Sequence, residues 1–164
     1  MRLNIGRGGR LGGKWASVDI DEALSPDIVD DVRTLDKIEN ESSAEIFASH
    51  VLEHIDEVQV LGTLKTWHGK LAPGGKLTVY VPDVERAWHD YSIGEADEKQ
   101  VLVTMIGAEP TRSPYQVHRT MFWPKRLKGL LCAAGFSKVV PAKARKRPYE
   151  FGFQAVKDNR GTVT

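Results

Sequence analysis

The feature that most restricts the fold is a glycine cluster directly behind the first apolar run. Leu3-Asn4-Ile5 leads into Gly6, Gly8, Gly9, Gly12 and Gly13, a density of glycine that cannot continue as a helix. The segment therefore reads as a strand entering a loop. A second strand is expected over residues 16–20, ending in Asp19 and Asp21. A third is expected over residues 27–32, after Pro26 and closing on Asp30 and Asp31. Only about nine residues then separate Gly6 from the second strand, too few for a helix and its two turns.

Farther along, strands and helices alternate. Residues 44–49 form a fourth apolar run, and residues 51–71 carry helical spacing at Val51, Leu52, Ile55, Val58, Leu61, Leu64, Trp67 and Leu71, stopped by Pro73-Gly74-Gly75. Residues 76–81 (KLTVYV) have the β-branched, apolar look of a central strand, and Pro82 ends it. Helical material follows over residues 84–107, then a loop bounded by Pro110 and Pro114. The next helix, residues 124–134, has Pro124 at its start and Gly135 just past its end. Residues 137–142 and 151–156 read as two strands around the basic turn 143–148. The alternation predicts an α/β fold: a mostly parallel, Rossmann-like sheet with helices on both faces and a ligand crevice at the carboxyl ends of its strands. Gly6 to Gly9, Asp19, Asp31, Ser49, His50 and Asp83 all fall at those ends. One domain is expected over residues 1–157, with a frayed tail at 158–164.

Composition narrows the setting. No apolar run approaches the roughly 20 residues of a membrane-spanning helix, and MRLNIGRGG lacks the apolar stretch of a secretory signal. The single Cys132 cannot form an internal disulfide, so the expected compartment is the cytoplasm. The net charge of +1 hides a segregation: residues 111–149 hold ten Lys and Arg and no acid, whereas residues 1–110 hold 11 bases against 20 acids. Such a division serves either a contact between subunits, which makes a homo-oligomer the expectation, or an anionic partner such as nucleic acid.

The glycine run also bears on the ligand. Gly6-Arg7-Gly8-Gly9-Arg10-Leu11 begins like G-x-G-x-x-G but carries Leu at the sixth position, and no helix fits behind it to receive a pyrophosphate. A ligand without phosphates loses nothing by this. Glycines still let the backbone approach an adenosyl group, and free amides can receive a carboxylate. S-adenosylmethionine fits that description. Asp19, at the end of the second strand, can accept hydrogen bonds from both ribose hydroxyls and would repel a 2′-phosphate.

Five stretches, LNIGRGGRLGGKWASVDID, DIVDDVRTL, EIFASHVLEHI, LAPGGKLTVYVPD and HRTMFWPKRLKGLLCAAGF, together resemble the type 11 methyltransferases, especially short members written roughly LNIGCG, VDI, SHVLEH, LKPGG, VPD and LLxxAGF. The resemblance spans about residues 2–140 in the right order. It implies a class I S-adenosylmethionine-dependent methyltransferase with a seven-stranded sheet ending in an antiparallel hairpin. By position, Gly6, Arg7, Gly8 and Gly9 would wrap the methionine moiety, Asp19 would hold the ribose and Ile20 would pack on the adenine. Asp31 and Val32 would meet the adenine edge, and Ser49 and His50 would border the sulfonium and its methyl group. Arg7 stands where the family has a small residue, and the usual N-terminal helices are missing, so the site is expected to be open or completed by a second subunit.

Methyl transfer from a sulfonium is an in-line displacement whose charge is neutralised as it proceeds, so the protein mainly positions the reactants. A base is needed only for hydroxyl or amine acceptors. His50 and His118 are the catalytic candidates. His50, Glu53 and His54, at i, i+3 and i+4, would share one helical face and could ligate a metal with His118, in a run similar to the ExxEH of small-RNA 2′-O-methyltransferases. LEH also occurs in metal-free relatives, where it holds the loop, and no metal is expected. The expected acceptor is a small molecule or a glycan. Two alternatives stay open: an RNA acceptor stacked on tryptophans beside the basic stretch, and a non-catalytic binding or scaffolding subunit.

Overall fold

A computed structural model describes residues 1–6, 13–107 and 117–159. Seven strands form one sheet: β1 (Arg2–Ile5), β2 (Trp15–Asp19), β3 (Ile28–Val29), β4 (Ser43–Ser49), β5 (Leu71–Pro82), β6 (Ser137–Pro141) and β7 (Glu150–Val156), in the order β3-β2-β1-β4-β5-β7-β6. The first five run parallel, and β7 enters antiparallel between β5 and β6. The α/β sheet and its antiparallel hairpin agree with the sequence reading.

Alternation along the strands decides which face is the core. Leu3 and Ile5, Ile46 and Ala48, Leu77, Val79 and Val81, and Phe153 and Ala155 share one face and are buried. Helices α1 (Glu57–Lys70) and α4 (Pro124–Ala133) close over them with Val60, Leu64, Trp67, Leu127 and Leu131. Each of these large side chains contributes about 1.5–3 kcal/mol by leaving water. The indole N–H of Trp67 also donates to the Val32 carbonyl at 2.7 Å, tying α1 to the turn after β3.

Several local expectations need correction. The helical period from Val51 breaks down at first: Leu52–His54 is a single 3-10 turn, and α1 begins only after Asp56. His50, Glu53 and His54 therefore do not share a face of an α-helix. The third strand shrinks to two residues, because Asp27 accepts bonds from both the backbone N–H and the hydroxyl of Ser17, and Asp31 turns the chain. Strand β5 begins at Leu71, with Pro73-Gly74-Gly75 carried in a register shift between Leu71 and Lys76. The material over 84–107 is two helices, α2 (Val84–Ser92) and α3 (Glu98–Ile106), which pack on each other.

The sequence reading expects helices on both faces; across β1 and β2 that is not found among the described residues. Neither connection flanking β2 holds an α-helix among its described residues; residues 20–27 contain only the 3-10 turn Glu22–Leu24. That face of the sheet carries a row of aromatic rings instead, Trp15 to Phe47 at 6.3 Å and Phe47 to Tyr80 at 5.9 Å. No helix among the described residues is long and apolar enough to cross a membrane.

Candidate functional site

Parallel strands end together, so their carboxyl ends bring side chains distant in sequence to one edge. Gly6 leaves β1 with φ +68°, its N–H on the Val18 carbonyl at 2.8 Å. A Cβ there would stand 2.6 Å from Val51 Cγ2, so only glycine fits this turn against the segment leaving β4. Asp19, nearly buried, accepts the backbone N–H of Asp21 at 3.0 Å, and its carbonyl accepts from Asp30. Ile20 beside it is 45% exposed, an apolar surface open at the edge. A glycine turn, a strand-end carboxylate that accepts hydrogen bonds and an exposed aliphatic side chain are a combination that suits an adenosyl ligand. Arg7, Gly8 and Gly9 lie outside the described residues.

Asp31 and the Val32 carbonyl have partners within the fold. The Asp31 carboxylate holds Arg33 at 2.6 Å, and this hydrogen bond sets its pKa below the ordinary carboxylate value against the opposing effect of burial. The Val32 carbonyl is taken by Trp67.

Ser49 and His50 belong to a polar cluster with Glu53 and with two residues the sequence reading did not select, Arg145 and Glu150. His50 has φ +58° and donates its backbone N–H to the Tyr80 carbonyl at 3.0 Å. Its ring lies between two carboxylates, Nδ1 at 2.9 Å from Glu53 Oε1 and Nε2 at 2.8 Å from Glu150 Oε2. Burial disfavours the imidazolium, but the two carboxylates outweigh it, and the His50 pKa rises above its ordinary value. A ring whose two nitrogens both serve acids is poorly placed to accept a proton. Glu150, its side chain 1% exposed, is also gripped by Arg145, through Nε at 2.7 Å and through Nη2. Burial pushes the Glu150 pKa up, but Arg145 and His50 bring it below the ordinary range. The Arg145 guanidinium lies 3.9 Å above the Tyr80 ring and donates to Ser49 Oγ at 2.9 Å. The basic turn thus sends one arginine into the site. Glu53 stands in the LEH run; Arg145 and Glu150 carry no motif, and only the fold brings them to His50.

His118 comes to the same region from the segment after α3. Its Nδ1 meets the Thr104 carbonyl at 3.1 Å, and burial, first among the causes, lowers its pKa. Arg119 and Thr120 donate backbone N–H groups to the Glu53 carbonyl at 2.6 and 3.1 Å, seating this segment on the 3-10 turn. His118 and His54 meet edge to face with ring centres 5.1 Å apart. A cavity of about 560 Å³ is lined by Glu41, His68, Lys157 and neighbours and by none of these residues.

The sequence matches no family model and no curated protein. Solved structures do match. A methyltransferase from Archaeoglobus fulgidus described as SAM-dependent aligns with a TM-score of 0.67 at 17% identity, covering 94% of this chain and 85% of that one. One from Methanosarcina mazei gives 0.63 at 16% identity, with 96% and 92% covered. The 1,6-didemethyltoxoflavin N1-methyltransferase of Burkholderia thailandensis, solved with S-adenosylhomocysteine, gives 0.62 at 17% identity, with 96% and 70% covered. Against two further neighbours the chain spans only about half of the other protein, 53% and 48%. The chain has the fold of class I S-adenosylmethionine-dependent methyltransferases.

Proposed function

We propose that this protein is an S-adenosylmethionine-dependent methyltransferase of the type 11 kind, acting in the cytoplasm on a small-molecule or glycan acceptor. The observation that carries the reading is the juxtaposition of the β1 and β2 ends. The Gly6 N–H on Val18 sets the glycine turn one residue from the Asp19 carboxylate, with Ile20 exposed beside it. When bound, S-adenosylmethionine supplies an electrophilic methyl group on a sulfonium. Asp19 would accept the ribose hydroxyls, Ile20 would cover one face of the adenine, and Arg7, Gly8 and Gly9 would receive the methionine end.

For the transfer step the chain supplies position and, for a hydroxyl or amine acceptor, a base. With no ion bound, His118 suits the base role: its Nδ1 proton rests on the Thr104 carbonyl, so Nε2 keeps its lone pair. His50 has a positioning part: its ring, between Glu53 and Glu150, fixes the end of β4.

Calorimetry with S-adenosylhomocysteine tests the reading. Wild type is expected to bind it in preference to NAD, and Asp19→Ala to weaken binding roughly 10- to 100-fold, the loss of a charge-assisted hydrogen bond. Unchanged affinity in the variant would remove Asp19 from the site. No binding by folded wild type would leave a scaffolding subunit as the better description.

A further inference from the structure

Three side chains beside the proposed transfer site converge in a way that methyl transfer does not require. Among the described residues, Glu53, His54 and His118 bring one ligand atom each to within 4.8 Å of one another. Two stand in the 3-10 turn after β4, and the third is carried there by the segment whose backbone bonds clamp that same turn.

The hydrogen bonds decide which atoms are available. His54 Nδ1 lies 3.1 Å from the Val117 carbonyl, and His118 Nδ1 lies 3.1 Å from the Thr104 carbonyl. A carbonyl oxygen only accepts, so each Nδ1 bears the proton and each Nε2 keeps its lone pair. This is how metal-binding histidines are oriented from behind. Glu53 supplies the independent observation: its side chain is 1% exposed, Oε1 is taken by His50, and Oε2 is buried with no hydrogen-bond partner. A buried carboxylate oxygen left without a donor is costly, and a cation at this position answers it.

We infer that Glu53, His54 and His118 form a binding site for a divalent transition-metal ion, held by Glu53 Oε2 and the two Nε2 atoms. Two imidazoles and one carboxylate suit zinc, iron or manganese rather than calcium or magnesium, and three protein ligands leave a position for water or substrate. Ligands at about 2.1 Å from a tetrahedral ion stand about 3.4 Å apart, so binding draws the three side chains closer than the 4.8 Å within which one ligand atom of each now lies. His50, the first residue of the sequence pattern, does not ligate; both its nitrogens are spent on Glu53 Oε1 and Glu150 Oε2, and it steadies the carboxylate. A bound ion occupies the lone pair with which His118 would accept a proton, so the two roles exclude each other. The ion would instead lower the pKa of a hydroxyl bound to it.

The test needs no cofactor and no activity. Tag-free full-length protein, stripped with a chelator, is titrated with Co²⁺ and its visible spectrum recorded. One equivalent is expected to give the intense ligand-field bands of a four- or five-coordinate ion, displaced by Zn²⁺. His54→Ala and His118→Ala should weaken uptake at least tenfold, and His89→Ala, on exposed α2, should not. Should either variant fail to fold, the wild-type spectrum decides alone, since the weak bands of the hexaaqua ion at one equivalent overturn the site. Uptake that persists in folded His118→Ala also overturns it.

Discussion

At the scale of single residues, His50 draws its character from partners 3 and 100 positions away. A histidine whose folded pKa is raised adds stability that is complete below its unfolded value near 6.5 and is lost as pH climbs through the raised value. Glu150, held low, adds stability that is complete above about 4.3 and is lost as pH falls through its lowered value. Both contributions are whole between about pH 5 and 6. Glu150→Gln is therefore expected to cost about 2 kcal/mol there, discounted because His50 and Arg145 are each about a third exposed. The cost should shrink as pH rises and His50 gives up its proton. Urea unfolding of both proteins across pH 4 to 9 measures it, and a flat difference would mean that the pair is not ionised as described. The glycine at position 6 was legible because its steric need is local. The Glu150 carboxylate was not, because nothing near it in sequence says what lies opposite.

Among the elements, the connection from β4 to α1 separates what periodicity can give from what it cannot. Leu64 and Trp67 recur at helical spacing and were readable, whereas Val58 of the same series is 90% exposed and Val60 takes the buried place. Val51, Leu52 and Ile55 continue the same spacing, yet they are buried in a 3-10 turn, because Gly6 and the segment at 118–120 press on it from two sides. Apolar spacing records burial, and burial is common to both conformations. The short link before β2 was legible as a count of residues, about nine being too few for a crossover helix, while the sequence reading does not single out the link after β2, which holds only the 3-10 turn Glu22–Leu24. That these links leave one sheet face to aromatic rings required the fold. The turn after β3 has its own tether: Trp67→Phe keeps most of the apolar volume and removes the bond to the Val32 carbonyl. It should lower unfolding free energy by about 1–2 kcal/mol in urea denaturation, and a neutral result would assign that tether to packing alone.

Across the whole molecule, the acidic and basic halves of the sequence meet partly within one chain. Arg119 pairs with Asp56 and Arg126 with Glu57, whereas Arg145 pairs with Glu150, an acid just beyond the basic stretch. The first two pairs involve exposed groups and contribute at most about 1 kcal/mol each. The basic turn is therefore uneven along its length: Arg145 is built into the site, while Lys146 and Arg147 stand in solvent. Arg145→Ser should lower the melting temperature by several degrees, roughly the effect of 1–2 kcal/mol in a domain of this size. Lys146→Ser and Arg147→Ser should each stay within about 0.5 kcal/mol of wild type. Equal effects from all three, measured by thermal unfolding, would restore the picture of an undifferentiated cationic patch.

The insertion of β7 between β5 and β6 bears on how the chain reaches its native state. Lys76 pairs with Val156 and Pro82 with Glu150, so the sheet cannot close until partners some 70 to 80 residues apart have met. Contacts of such long range slow a folding reaction. The first residue of β7 is Glu150, the acid that captures His50 and Arg145. Closure of the sheet and assembly of this polar cluster are therefore one event, and a half-folded chain has neither.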